Sequence, residues 1–182
     1  MKKYLFILSF ILLTNEVSAS IKENIIHNLN SIDNIFFKFE QNINGKTENG
    51  ECIIQYPKKI FCKYNLKNKK ILVSNGKSLV IKSLSSYYLY PLDKTPLDLI
   101  LDKNFLIRAI NNSDERIIED KFINYSFSKK DNEINIFFDK NTYELIGWQT
   151  LDIYQNLSIT FISSIIKNQK LKKNLFEIPK QN

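Results

Sequence analysis

Apolar and polar side chains alternate through most of this sequence in short segments. In the first of these segments, which begins at residue 33, Phe37 and Phe39 alternate with Lys38 and Glu40. A period of two places successive side chains on opposite faces of a strand, so the pattern predicts β-structure. Short strands in series, separated by turn signals such as Asn75-Gly76, favour one large antiparallel sheet. The further strands are predicted over residues 51–56, 60–65, 70–74, 78–82, 86–90, 121–128, 133–139, 143–151 and 157–166.

The N-terminal segment resembles a cleaved secretory signal. Lys2 and Lys3 precede the apolar run 4–13, and Val17-Ser18-Ala19 offers the small residues of a cleavage site. Residues 1–19 are therefore predicted to be removed on export, leaving residues 20–182 as a single domain. We expect no lipid anchor, because no cysteine directly follows the apolar run.

An amphipathic helix is predicted at the start of the mature chain. Ser20 and Glu23 have the spacing of a capping box, with the serine at N-cap and the glutamate at N3. Isoleucine and leucine then recur at helical spacing up to about residue 30.

A second, shorter helix is predicted in the middle of the chain. Thr95 is placed at its N-cap and Pro96 at N1. Leu97, Ile100 and Leu101 share one face of this helix. The helix either lies across the sheet as a lid or packs as an ordinary core helix, and the sequence leaves both interpretations open.

Composition and motifs argue against catalysis and against nucleic-acid binding. The formal charge is +7, but the lysines are scattered, which is typical of a solvated surface. The single histidine, His27, has no partner at metal-ligand spacing, and the chain has only four glycines for a phosphate loop. No catalytic residue, metal ligand or cofactor is therefore predicted, and the chain is expected not to be an enzyme.

The two cysteines predict a disulfide. Cys52 and Cys62 lie five residues on either side of Pro57, so a hairpin turn near the proline places them opposite each other. An even cysteine count in an exported chain favours pairing. The alternative is a pair of buried free thiols.

One face of this same hairpin is consistently apolar. Ile54 and Tyr56 share a face with Cys52 on the first strand, and Ile60 and Tyr64 share a face with Cys62 on the second. An apolar sheet face needs a cover, which is either a packed core or a ligand.

Several segments resemble the outer-membrane lipoprotein carrier protein family, LolA. The resemblance spans most of the mature chain, and its motifs occur in the family's order. They are F-F-K-F-E-Q over residues 36–41, E-N-G-E-C-I-I-Q-Y-P over 48–57, I-L-V-S-N-G-K-S-L over 71–79, T-P-L-D-L-I-L over 95–101, which looks like a lid helix, and N-L-F-E-I-P over 174–179, which looks like a final core strand.

This resemblance implies an incomplete, strongly curved antiparallel β-barrel covered by an N-terminal helix and a short lid helix. It implies a monomeric periplasmic chaperone that takes acylated lipoproteins from an inner-membrane transporter and hands them to an outer-membrane receptor. A lipid- or glycolipid-binding module, or a stress-sensing module of the same shape, is the alternative; an unrecognised hydrolase is a third. The expected acyl-chain cavity is lined by Phe37, Phe39, Ile54, Tyr56, Ile60, Tyr64, Leu97, Ile100 and Leu101.

The sequence departs from the family pattern at two places. Many members have an arginine just before the proline that tethers the lid, whereas this chain has Tyr56 there. Lys58 or Lys59 is a possible substitute, although the strand period points Lys58 elsewhere, so we expect the lid to be held mainly by apolar contacts. The chain also ends three residues after Pro179, without the longer tail of some members.

Overall fold

The computed structural model describes residues 20–129, 132–151 and 155–181, and the predicted signal segment lies outside them. The three α-helices are α1 (Ile21–Asn30), α2 (Leu97–Ile100) and α3 (Lys103–Asn111), and a 3₁₀ turn covers Leu92–Lys94. The strands are β1 (Asn34–Ile43), β2 (Lys46–Gln55), β3 (Lys59–Tyr64), β4 (Ile71–Asn75), β5 (Ser78–Lys82), β6 (Tyr87–Pro91), β7 (Arg116–Ile118), β8 (Phe122–Lys129), β9 (Asn132–Asp139), β10 (Leu145–Leu151) and β11 (Leu157–Lys167).

The strands form one antiparallel sheet in the order β6-β5-β4-β3-β2-β1-β11-β10-β9-β8-β7. Strands β1 to β6 pair in sequence order, as do β7 to β11, and the first and last strands meet in the middle, where Ile35 lies opposite Lys167. The sheet is not closed, because β6 and β7 are its two edges. The predicted fold class, mainly β with an incomplete antiparallel barrel and few helices, is confirmed.

The turns follow the local sequence signals. Asn75-Gly76 joins β4 to β5 as predicted, with Gly76 at a φ of +99° that suits glycine. Asn44 and Gly45, both at positive φ, form a second tight turn that the prediction missed. The strand predicted from residue 51 consequently begins at Lys46.

Helix α1 begins where the sequence predicts. The Glu23 backbone N–H donates to Ser20 Oγ over 3.2 Å, and the Ser20 N–H donates to Glu23 Oε2 over 2.7 Å. This confirms the capping box, which satisfies two backbone donors that the first helical turn leaves free.

Helices α1 and α3 lie together on one part of the sheet. Helix α1 buries Ile25 and Leu29, and α3 buries Leu106 and Ile110. Ring contact between Phe105 and the β8 residue Phe127, with centroids 6.3 Å apart, fixes α3 over β8. The core beneath the helices contains Ile123, Tyr125, Ile134, Ile136 and Phe138, each at most 1% exposed.

The N-cap residue predicted for the second helix is wrong. Thr95 does not cap α2; its hydroxyl donates to the Leu92 carbonyl over 2.8 Å and ends the preceding 3₁₀ turn. Pro96 takes the N-cap position without a side-chain bond. The cause is the 3₁₀ turn itself, which uses the Thr95 hydroxyl before α2 begins. Helix α3, which was not predicted, starts directly after α2, and its N-cap Asp102 accepts from the Phe105 N–H over 3.0 Å.

The prediction of a final core strand over residues 174–179 is also wrong. This segment has a turn over residues 173–176 and no strand, and Asn174 has a φ of +66°. Both sides of β1 are already taken by β2 and β11, so the central place beside β1 is closed to another strand. The segment instead follows the surface, where Lys82 Nζ donates to the Lys180 carbonyl over 2.7 Å.

Candidate functional site

A cavity of about 430 Å³ lies on the inward face of the sheet. Side chains from both β6 and β10 line it, although six strands separate these two in the sheet. In a flat sheet they would be about 34 Å apart, at roughly 4.8 Å per strand. The sheet therefore curls strongly around the cavity, as predicted from the family resemblance.

The inner wall of the cavity is apolar and aromatic. Phe37 meets Trp148 edge to face with ring centroids 6.1 Å apart, and Phe39 meets Tyr64 in the same way at 5.0 Å. Gly50 makes room for the second pair, since a Cβ there would lie 2.9 Å from the Phe39 ring and 2.2 Å from the Lys63 carbonyl oxygen.

The structure divides the predicted cavity residues into two groups. Phe37, Phe39, Ile60, Tyr64 and Leu97 line the cavity. The others are part of the packed core rather than of the cavity wall. They are Ile54, Ile100 and Leu101, each at most 1% exposed, and Tyr56, which lies against Leu29, Ile32 and Ile35.

Helix α2 is thus both a lid and a core element. Leu97, in its first turn, faces the cavity, while Ile100 and Leu101 at its end are buried in the core. Both interpretations left open by the sequence therefore hold, each for one end of the helix. Ligand binding by these residues stays a prediction.

The predicted disulfide is confirmed. Cys52 and Cys62 are opposite each other in the β2–β3 register and are bonded to each other. Both side chains also line the cavity, so the crosslink forms part of its wall.

Lys58 holds helix α2 against the β2–β3 turn. Its ammonium lies 2.7 Å from Asp98 Oδ1 and 3.8 Å from Asp102 Oδ2, and its backbone N–H donates to the Leu101 carbonyl over 2.8 Å. The prediction that Lys58 points elsewhere is therefore wrong. That the lid is held mainly by apolar contacts stays a prediction, since Leu99, Ile100 and Leu101 are also buried. The strand period does not apply to Lys58, which lies in the turn at a φ of +65°.

The electrostatics of this contact favour the charged lysine. The hydrogen bond that Lys58 donates to Asp98 is the largest influence and raises the pKa of Lys58; desolvation opposes it, and the charges of Asp98, Asp102 and Asp93 add to the rise. At the position of the family arginine, burial raises the pKa of the Tyr56 phenol, so this ring stays neutral. In this chain, the cation that contacts α2 is therefore the residue after the proline.

The other end of the cavity wall is polar, which the sequence analysis missed. Gln41, Thr150, Ser158 and Thr160 project inward from β1, β10 and β11. Strand alternation was the available signal, because Gln41 shares its face with Phe37 and Phe39. Lys70 lies over the Tyr64 ring at 4.2 Å and pairs with Glu48 near the same end.

The described residues form neither a metal-binding cluster nor a membrane-spanning helix. Among residues 20–129, 132–151 and 155–181, no cluster of three or more His, Cys, Asp or Glu side chains is arranged to hold a metal ion. None of the helices within these ranges has the length and apolar character needed to cross a bilayer. His27 is exposed on α1.

A curled, open antiparallel sheet with an apolar cavity under a short helix defines a class of half-barrel binding folds. The family model described as outer membrane lipoprotein carrier protein LolA matches residues 30–179, and the chain belongs to this family. It is a family of carrier proteins of the cell envelope rather than of enzymes.

Several solved structures are similar to this chain at very low identity. An uncharacterized conserved protein from Thermus thermophilus is 7% identical with a TM-score of 0.50, covering 87% of this chain and 93% of that one. A LolA superfamily protein from Nitrosomonas europaea is 8% identical with a TM-score of 0.45, covering 88% and 99%. The lipoprotein LppX from Mycobacterium tuberculosis is 9% identical with a TM-score of 0.43, covering 84% and 98%. No curated protein matches the sequence significantly.

Proposed function

We propose that this protein is a periplasmic chaperone that carries acylated lipoproteins from the inner to the outer membrane. The observation that carries the proposal is the cavity of about 430 Å³ with its aromatic wall, which falls within the range of ligand-binding pockets. Family membership supports the choice of cargo, since the family is described as a lipoprotein carrier.

The cavity suits reversible binding of acyl chains. Each methylene group removed from water contributes about 0.8 kcal/mol, so a long chain binds without any charged clamp. The aromatic pairs Phe37–Trp148 and Phe39–Tyr64 offer broad apolar surface, and the cation beside Tyr64, Lys70, is already paired with Glu48. Such a wall favours transfer to a receptor with a larger apolar area.

The transfer route and the cellular location are part of the same proposal. The cargo would arrive from an inner-membrane lipoprotein-releasing transporter and leave for an outer-membrane receptor, with the protein acting as a monomer. Helix α2 would open during loading, because Leu97 at its first turn lies over the cavity. The chain would act by binding alone, without catalysis.

Replacement of Leu97 tests the proposal. A carboxylate at this half-buried position would face the apolar wall, so Leu97→Glu is expected to abolish co-purification of a triacylated lipoprotein expressed in the same cells. The matched control is Leu89→Glu, because Leu89 is 57% exposed on the edge strand β6. Mass spectrometry of the co-purified material and thermal melting of both variants are the measurements.

Three results would contradict the proposal. Equal capture of lipoprotein by the Leu97→Glu variant and the wild type would remove α2 from the binding site. Protein-free lipid or glycolipid in place of lipoprotein would favour the lipid-binding alternative. Loss of capture in Leu89→Glu as well would show that the effect is not specific to the cavity.

A further inference from the structure

A row of uncharged polar side chains interrupts the apolar wall of the cavity. Gln41 on β1, Thr150 on β10, and Ser158 and Thr160 on β11 all line the cavity. Cross-strand pairing brings them together, since Gln41 lies opposite Thr160 and Thr150 lies opposite Ser158. The three hydroxyl residues are 8%, 5% and 3% exposed, so this is not an ordinary solvated surface.

The hydrogen bonds within the row leave hydroxyl donors available. Gln41 Nε2 donates to Ser158 Oγ over 3.1 Å and to Thr160 Oγ1 over 3.2 Å, while Gln41 Oε1 accepts from the Tyr64 hydroxyl at 3.5 Å. Both serine and threonine oxygens thus act as acceptors. Within the described ranges, their own O–H groups and that of Thr150 have no acceptor. These hydroxyls line the cavity, so an acyl chain that displaced water there would favour a ligand that also brings acceptors.

An uncharged acceptor fits these groups better than an ion. A row of O–H donors matches carbonyl oxygen, which accepts and does not donate. The charge on Lys70, which also lines the cavity, is already paired with Glu48. The apolar wall begins next to the row, because Phe39 lies two residues before Gln41 on the same face of β1.

We propose that Gln41, Thr150, Ser158 and Thr160 form a subsite for the ester or amide carbonyl of an acyl group whose chain lies along the aromatic wall. This inference rests on the proposed function, because it assigns one part of the same cavity to one part of an acylated cargo. It gives the cavity a preferred ligand orientation, with the carbonyl at β10–β11 and the chain directed toward Leu97. It also makes the site selective for acyl over alkyl lipids.

A pair of matched probes tests the subsite. Dipalmitoylglycerol has two ester carbonyls, and di-O-hexadecylglycerol has the same chain length without them. Displacement of a bound naphthalene dye by each lipid would be measured for the wild type and for the Ser158→Ala/Thr160→Val variant. The control is Ser163→Ala, which removes an exposed hydroxyl from the same strand. Thermal melting shows that each variant is folded.

The wild type and the control are expected to prefer the ester about three- to tenfold, as one or two neutral hydrogen bonds would provide. The double variant should lose this preference through weaker ester binding, with ether binding unchanged. Equal binding of both lipids by the wild type would overturn the subsite and leave the carrier proposal standing. Tighter binding of free palmitate than of the diester would assign the row to a carboxylate and also overturn it. Binding of neither lipid would contradict the proposed function itself.

Discussion

Two parts of the sheet have the same strand pattern and opposite interiors. The packed half, defined as β7–β10 with α1 and α3, buries whole side chains such as Tyr125 and Phe138. The cavity half, defined as β1–β6 with α2, encloses about 430 Å³ together with part of β10 and β11. Alternation therefore determines which side chains point inward, while the length of the covering helix determines whether the interior is filled. Helix α3 has nine residues and α2 has four.

Two consecutive segments of the chain also differ in charge. Residues 52–92 contain eight lysines and no aspartate or glutamate, a net charge of +8. Residues 93–151 contain eleven acidic and eight basic residues, a net charge of −3. Lys58 from the basic segment and Asp98 from the acidic segment meet where α2 joins the β2–β3 turn. The helix that partly covers the cavity is thus fixed across a boundary between opposite charges.

The largest expected effect compares one aliphatic side chain from each half. Ile110→Ala in the packed half should reduce the free energy of unfolding by about 2–5 kcal/mol, because Ile110 is fully buried on α3. Leu79→Ala in the cavity half removes the same number of carbons but should cost less, since Leu79 already borders empty space on one side. Urea denaturation measures both, and equal losses would mean that the two interiors are packed alike.

The disulfide is expected to compensate for missing packing in the cavity half. Replacing both Cys52 and Cys62 by alanine removes a crosslink with a sequence separation of 10. By the chain-entropy estimate, this should lower the free energy of unfolding by about 2–3 kcal/mol. Hydrogen exchange should accelerate in β2 and β3 more than in β8 and β9. Reduction of the wild type is the matched control, and an unchanged unfolding midpoint in reductant would contradict this role.

Features set by neighbouring residues were predictable from the sequence. The capping box at Ser20, the turn at Asn75-Gly76 and the Cys52–Cys62 pair each depend on residues at most ten positions apart. The family motifs added the open barrel, which periodicity alone does not specify. The pairing of Ile35 with Lys167 depends on residues far apart in the chain, and no local signal shows it.

The residues of the candidate site were predictable only where the strand period determines which side chains point inward. Phe37 and Phe39 were correctly placed in the cavity wall, and Gln41 follows from the same alternation. Ile54 and Tyr56 also point inward, but they pack against other core side chains. The strand period shows which face a side chain is on and does not show which side chains it packs against. Lys58 was misplaced because its direction depends on the turn geometry after Pro57.

The smallest expected effect lies inside the cavity half, at the contact between α2 and the β2–β3 turn. Lys58→Met keeps the length of the side chain but leaves Asp98 without its cation, and the Asp98 side chain is 12% exposed. Because Lys58 is one-third exposed and screened by solvent, the free energy of unfolding should fall by about 1 kcal/mol. Hydrogen exchange in α2 should increase, while exchange in α3 should not. Lys58→Met/Asp98→Asn should recover most of the lost stability, since it also removes the Asp98 charge that the single variant leaves unpaired.

The pH dependence of this contact has a definite sign. The pKa of Lys58 is raised in the folded state above its usual value of 10.5, chiefly by the hydrogen bond to Asp98. The folded state therefore binds the Lys58 proton more tightly than the unfolded chain, so its stabilising contribution is fully present below pH 10.5. It is lost as the pH rises through the folded-state pKa. The stability difference between the wild type and Lys58→Met should be constant from about pH 7 to pH 9 and should shrink above pH 10.5. Urea denaturation of both proteins across this range measures the difference, and taking the difference cancels the titration of the tyrosines that both proteins share. A difference in the free energy of unfolding that grows as the pH rises would show that the contact does not depend on the lysine charge.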